Sequence, residues 1–120
     1  LDKETLEEIK KEVSNIHIDE ELEKYIVDIV CATREPKEYG LDDIADYIQF
    51  GASPRATIDM FKAVKAMAFL RGNDFVSPVD IALVVKNILR HRIILSYEAE
   101  AMQISTDELI QKIMEKIQIP

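Results

Sequence analysis

The sequence predicts an all-α fold, a small helical bundle with at most a minor β element. Apolar residues recur at intervals of three and four in several segments, which is the spacing of one face of a helix. The 120 residues contain only 3 Gly and 4 Pro, which leaves little room for long loops. A chain of this length can bury roughly two-thirds of its unfolded surface, so we expect residues 1–120 to form a single domain.

The first two helices follow from their apolar spacing and from the residues at their ends. The apolar face of the first helix consists of Leu6, Ile9, Val13 and Ile16. The second helix begins after Asp19, a good capping residue, and ends at Arg34, before Pro36. The apolar stripe of this second helix consists of Leu22, Tyr25, Ile26, Ile29, Val30 and Thr33. Residues 35–52 then form the longest irregular stretch, with short-strand character near residues 47–50.

A third helix is predicted from Pro54 to Arg71, and Gly72 ends it. Ser53 is the expected cap, and Pro54 suits the first helical position because its missing N–H would have no partner there. The helix is apolar almost all round, so we expect it at the centre of the bundle, with Ile58 in the core. Its narrow polar stripe consists of Arg55, Asp59, Lys62 and Lys65.

The C-terminal part of the sequence predicts two further helices. Ser77 and Asp80 lie at capping-box positions at the start of the fourth helix. Residues 93–102 contain both strand-forming and helix-forming residues, so the pattern leaves both structures open. Ser105 and Glu108 form a second capping box, which begins the last helix.

Charge and composition argue against several classes of protein. The net charge is −8, so no basic face is expected to bind nucleic acid. No apolar run reaches the about 18 residues of a membrane span. Cys31 is the only cysteine and is expected to be a small buried apolar residue, while His17 and His91 lack the spacing of metal ligands. We therefore expect a cytoplasmic protein without a metal site.

Arg55 is the residue whose position most needs an explanation, because a helix dipole disfavours a cation in the first turn by about 0.3–1 kcal/mol. An exposed pair with Asp59, four residues on, would return only about 0.3–0.5 kcal/mol, so stability gives little reason for an arginine here. The other explanation is anion binding. Unpaired N–H groups at a helix start favour phosphate, and a guanidinium group adds a planar fork of donors. The residues alone leave both explanations open.

Four segments resemble the C-terminal lid domain of MoxR-family AAA+ ATPases: YIVDIVCATREP, YIQFGASPRA, KAMAFLRGNDFVSPVDI and LRHRIILSYEAEA. They occur in the order of that family, and the resemblance extends over residues 6–117. It implies that the chain is a lid domain and that Arg55 is its catalytic, sensor 2 arginine, which reaches the terminal phosphates of ATP. Ser53 and Pro54 would lie beside the same nucleotide. Arg34 is a further candidate contact with the nucleotide or a neighbouring subunit, or else a helix-end cation that needs no ligand, because the C-terminal end of a helix favours positive charge.

The same resemblance implies properties of a longer protein. These are ATP as the nucleotide, with Mg²⁺, a hexameric ring, and a chaperone-like role. The partners it implies are the AAA+ core domain of the same protein, neighbouring subunits and von Willebrand factor A-domain proteins. Residues 1–120 contain neither a Walker A nor a Walker B motif, so we expect this chain alone to hold no nucleotide and to hydrolyse none. The alternative is a helical protein-interaction module without a nucleotide role, in which replacing Arg55 would have no effect.

Overall fold

The computed structural model describes residues 2–117, in which six α-helices surround one core. These helices are α1 (Lys3–Ser14), α2 (Glu20–Arg34), α3 (Arg55–Leu70), α4 (Pro78–Leu89), α5 (Tyr97–Ala101) and α6 (Thr106–Lys116). Short 3₁₀ turns occupy Pro36–Tyr39 and Ala45–Tyr47, in the segment that the sequence predicts to be irregular. The predicted all-α bundle is confirmed.

The β element is a single pair of short strands, β1 (Ile48–Phe50) and β2 (Ile94–Leu95). The strands are antiparallel, and their register is irregular. Because β2 is followed directly by α5, residues 93–102 contain both of the structures that the sequence left open.

Helix α3 lies at the centre of the bundle and packs against α1, α2 and α4. Its fully buried side chains recur every four residues along one stripe, and they are Ala56, Met60, Val64 and Ala68. The largest fully buried side chains outside α3 are Ile26, Ile29, Ile44, Ile81, Leu89, Leu109, Ile110 and Ile113. Within residues 2–117, every helix falls short of the length and apolar character that crossing a bilayer requires.

Ile58 lies outside the core, and its prediction as a core residue is wrong. The residue is 51% exposed, whereas Ala56 and Met60, on either side of it, are fully buried. Two residues along a helix rotate the side chain by about 200°, so Ile58 points away from the buried stripe. Helix α3 is therefore apolar over nearly its whole circumference, but the bundle buries only part of that apolar surface.

The start of α3 also differs from the prediction. The Ser53 carbonyl oxygen accepts a hydrogen bond from the Ala56 N–H at 2.9 Å, and the Pro54 carbonyl oxygen accepts one from the Thr57 N–H at 3.1 Å. Of the two N–H groups that a Ser53 hydroxyl cap could use, that of Ala56 is therefore bonded to the Ser53 carbonyl oxygen, and that of Arg55 is not engaged by the hydroxyl. The hydroxyl makes no capping bond, Pro54 takes the capping position, and the helix begins at Arg55. The prediction of Ser53 as the cap is wrong.

Capping interactions at the starts of α4 and α6 follow the prediction more closely, whereas Asp19, the cap expected for α2, makes no side-chain capping hydrogen bond. The Ser77 N–H donates to Asp80 Oδ2 at 2.8 Å, and Ser105 Oγ accepts from the Glu108 N–H at 3.2 Å. Asp80 is fully buried and also accepts a hydrogen bond from Arg71 Nη1 at 2.9 Å. This carboxylate therefore joins the end of α3 to the start of α4.

Candidate anion-binding site

A buried threonine at the end of α2 fixes the segment that leads into α3. Thr33 is fully buried, and its hydroxyl donates to the Val30 carbonyl oxygen at 2.6 Å. The same Oγ1 accepts from the Ala52 N–H at 2.9 Å. Ala52 is fully buried too, so this N–H has lost its access to water and depends on the threonine as its acceptor.

Gly51 lets these two segments come into contact. A Cβ atom on Gly51 would collide with the Thr33 carbonyl group and would lie 2.7 Å from the Arg34 amide nitrogen. Only glycine permits such a close approach of backbone to backbone. The approach brings the end of α2, with Arg34, next to the Ser53–Arg55 segment at the start of α3.

Arg55 has no acidic partner in the part of the chain that the structure describes. The carboxylate that four-residue spacing could place against it, that of Asp59, instead accepts from Arg92 Nη2 at 2.7 Å. Arg92 follows α4 and reaches α3 through the tertiary fold, so the pair of Arg55 with Asp59, one of the two explanations left open by the sequence, does not form. The Arg55 side chain is exposed and available to a ligand.

Comparison with the other arginines shows that an arginine without an acidic partner is unusual in this chain. The sequence contains five arginines, and three of them form ion pairs with aspartates: Arg71 with Asp80, Arg90 with Asp107, and Arg92 with Asp59. Among residues 2–117, the two arginines without a carboxylate partner are Arg34 and Arg55. Both lie where the end of α2 meets the start of α3, although a cation at a helix end, as at Arg34, is favourable even without a ligand.

Two backbone donors lie at the same place. Between residues 2 and 117, no hydrogen bond engages the N–H groups of Ser53 or Arg55. The start of a helix carries a partial positive charge, and unpaired N–H groups there bind anions well. The guanidinium group of Arg55 and these two amides are therefore chemically suited to an oxyanion. These residues supply no nucleophile and no general base.

Other candidate chemistry is absent from the described region or is explained by packing. No group of three or more His, Cys, Asp and Glu within residues 2–117 could hold a metal ion. Tyr39 donates to Asp28 Oδ1 at 3.3 Å, and burial, with a smaller contribution from the Asp28 charge, raises the pKa of Tyr39 to about 12. This tyrosine is engaged within the fold.

Sequence reasoning missed Thr33 and Gly51, the two residues that position the site. The sequence pattern places Thr33 in an apolar stripe and predicts no role for Gly51. The available signal was a hydroxyl in the middle of a buried stripe, because a buried hydroxyl needs a partner. Its partner is 19 residues away along the chain, so local spacing could not identify it.

Comparison with known proteins relates the chain to one domain family and to proteins named MoxR. The sequence profile of the AAA lid domain family matches residues 42–113. The chain is 36% identical over 107 residues to the protein named Chaperone MoxR1 of Mycobacterium tuberculosis, covering 89% of this chain and 28% of that protein. It is 36% identical over 87 residues to Protein MoxR of Paracoccus denitrificans, covering 69% of this chain and 26% of that protein.

A solved structure agrees with these sequence matches. The crystal structure of a candidate ATPase from Cytophaga hutchinsonii is similar with a TM-score of 0.88 and 51% sequence identity. The similarity covers 92% of this chain and 33% of that one. The chain thus spans about a quarter to a third of the length of the proteins it matches.

Proposed function

The chain belongs to the AAA lid domain family and is a lid of the MoxR type, and from this premise we propose that Arg55 is a sensor 2 arginine that contacts the terminal phosphates of ATP. The nucleotide would be bound mainly by an AAA+ core domain outside residues 1–120. One observation carries the proposal. In the described part of the chain, the two arginines left without a carboxylate partner lie together where α2 ends and α3 begins.

The chemistry proposed for Arg55 is electrostatic. A guanidinium group can donate two parallel hydrogen bonds to phosphate oxygens, and the N–H groups at the start of α3 add to the positive potential. In the transition state the negative charge is spread over the oxygens of the transferred γ-phosphoryl group, and a positioned cation stabilises that charge. Arginines that act this way in related phosphoryl-transfer enzymes accelerate hydrolysis by about 10³–10⁵.

The position of the lid would also depend on whether the bound nucleotide carries a γ-phosphate. Because Arg55 begins the central helix α3, losing its contact with the γ-phosphate would free the whole bundle to move against the core. Such lid movement would rearrange an oligomeric ring, for which we propose a hexamer. The ion pair between Arg71 and Asp80 links α3 to α4 and would help the bundle to move as a unit.

The remaining properties belong to the longer protein that we propose. They are Mg²⁺-dependent ATP hydrolysis, a chaperone-like role in the cytoplasm, contacts with neighbouring subunits, and von Willebrand factor A-domain partners. Support for the chaperone-like role comes from the name Chaperone MoxR1 carried by one relative.

The test is steady-state ATP hydrolysis by the full-length protein. We expect Arg55→Ala to slow hydrolysis at least about tenfold, which corresponds to about 1.4 kcal/mol of activation free energy. Arg55→Lys should restore only part of the rate, because an ammonium group cannot make the bidentate contact. Lys37→Ala is the matched control, since it removes an exposed cation three residues after Arg34. Hydrolysis by Arg55→Ala at the wild-type rate would favour a helical interaction module without a nucleotide role.

A further inference from the structure

A groove of about 590 Å³ runs between α1 and α3. Its walls are mostly apolar, with Ile9 and Val13 on α1 and Phe61 and Ala66 on α3. No residue of α1 is buried, so the apolar face of this helix is only partly covered by the bundle. The groove is the uncovered part of the contact between the two helices.

The apolar surface continues beyond the groove at one end of each wall. Leu6 lies one turn before Ile9 on α1 and is 43% exposed. Ile58 lies one turn before Phe61 on α3 and is 51% exposed. The open apolar strip therefore follows residues 58–66 of α3 for about 12 Å, the length of about two helical turns.

The charged residues that line the groove are all lysines, namely Lys10, Lys62 and Lys65. Within residues 2–117 none of them forms an ion pair, and Lys65 Nζ makes only a long hydrogen bond of 3.5 Å to the Ser14 carbonyl oxygen. The whole chain has 23 acidic and 15 basic residues. An apolar groove edged only by unpaired lysines is therefore a local reversal of the charge of the molecule.

We propose that this groove binds an acidic amphipathic helical segment of a partner protein. Apolar side chains at positions i, i+3 or i+4, and i+7 of that segment would fill the groove, as helices do in other apolar grooves. Glutamate and aspartate side chains at its flanks would pair with the three lysines, which gives the charge complementarity that selects partners. A nucleic acid fits less well, because the net charge of −8 repels a long phosphate backbone.

The proposal is independent of the nucleotide role of Arg55, because the site uses different side chains. It is tested with two synthetic amphipathic peptides that share their apolar positions and carry either glutamate or lysine at the flanking positions. Binding of each labelled peptide to the full-length protein is measured by fluorescence anisotropy. We expect the glutamate peptide to bind at least about tenfold more tightly than the lysine peptide, and more weakly as salt is raised.

Charge-reversal variants locate the binding. The double variant Lys62→Glu with Lys65→Glu should weaken binding of the glutamate peptide at least about tenfold and should improve binding of the lysine peptide. Lys116→Glu changes charge on α6, outside the groove, and should leave both affinities within about twofold. Thermal melts show whether each variant is folded.

Three results would overturn the proposal. One is equal affinity for the two peptides, and another is glutamate-peptide binding that the double variant does not change. The third is concentration-dependent self-association that the double variant abolishes, because the groove would then hold a second copy of the chain. Arg55→Ala should leave peptide binding unchanged whatever its effect on hydrolysis.

Discussion

At the residue scale, the Asp59 carboxylate determines whether Arg55 is available to a ligand. Four-residue spacing would let Asp59 pair with Arg55, but Asp59 already accepts a 2.7 Å hydrogen bond from Arg92. Both members of that pair are partly exposed, so the pair itself adds at most about 1 kcal/mol to stability. Its larger consequence is that it leaves the guanidinium group at the start of α3 without a competing anion.

Thr33 gives a prediction about stability. Thr33→Val keeps the shape of the side chain but leaves the buried Ala52 N–H without an acceptor. We expect a loss of about 1–3 kcal/mol in the free energy of unfolding, measured by urea denaturation. Thr33→Ser is the control, because it keeps the hydroxyl and should cost about 1 kcal/mol or less. Equal losses in the two variants would show that the hydroxyl contributes nothing beyond packing.

Tyr39 gives a prediction about alkaline pH. The pKa of its phenol is raised to about 12 in the folded protein by burial and by Asp28, against a value of about 10 when the chain is unfolded. Between these values the unfolded chain loses the proton first, so the contribution of the neutral phenol is complete below pH 10 and is lost as pH rises toward 12.

Tyr39→Phe should therefore reduce the loss of stability between about pH 9 and pH 11, measured by urea denaturation at each pH. Burial also raises the pKa of Tyr25, so part of the alkaline destabilisation should remain in the variant. A variant whose stability falls with pH as steeply as that of the wild type would contradict the assignment to Tyr39.

At the element scale, the contact between the end of α2 and the segment before α3 sets the position of the candidate site. Gly51 and Thr33 make this contact, and neither has a role in the nucleotide chemistry proposed for Arg55. The ion pair between Arg71 and Asp80 fixes the other end of α3, where it joins that helix to α4. Helix α3 is thus held at both ends by specific polar or close backbone contacts.

Gly51→Ala tests whether this contact positions Arg55. The new methyl group would collide with the Thr33 carbonyl group, so we expect a loss of about 1–3 kcal/mol in stability, as in other overpacked sites. Because the shift must move the segment before α3, ATP hydrolysis by the full-length protein should also fall.

Gly72→Ala is the matched control for that experiment. Gly72 has a φ of 80° and nothing within 4 Å of an added Cβ atom, so alanine there costs about 1–2 kcal/mol of backbone strain without a collision. We expect Gly72→Ala to lower stability and to leave the rate of hydrolysis near that of the wild type. A Gly51→Ala protein that hydrolyses ATP as fast as Gly72→Ala would show that the contact does not position Arg55.

At the scale of the whole molecule, sequence periodicity and capping residues predicted the helical bundle well. The predicted third helix, residues 54–71, differs from α3 by one residue at each end. Exposure around that helix was not predictable, because the all-round apolar pattern does not say which neighbours cover which face. Ile58 is exposed for this reason.

The candidate site was predicted less completely than the fold. The resemblance to MoxR-type lids selected Arg55, and the unusual charge at a helix start supported that choice. The sequence did not reveal that Arg92 takes Asp59, because these residues are 33 positions apart and meet only through the packing of α3 against α4. Pairings that depend on tertiary approach leave no signal in local spacing.

The central claim is that Arg55 contacts the terminal phosphate of ATP, and the most direct measurement is nucleotide selectivity. The affinities of the full-length protein for a non-hydrolysable ATP analogue and for ADP are compared by calorimetry, in the wild type and in Arg55→Ala. A charge-assisted contact to the γ-phosphate predicts that the variant loses at least about tenfold of the preference for the ATP analogue, with ADP affinity changed by less than about twofold. An unchanged ratio of the two affinities would contradict the claim, because Arg55 would then make no contact that distinguishes ATP from ADP.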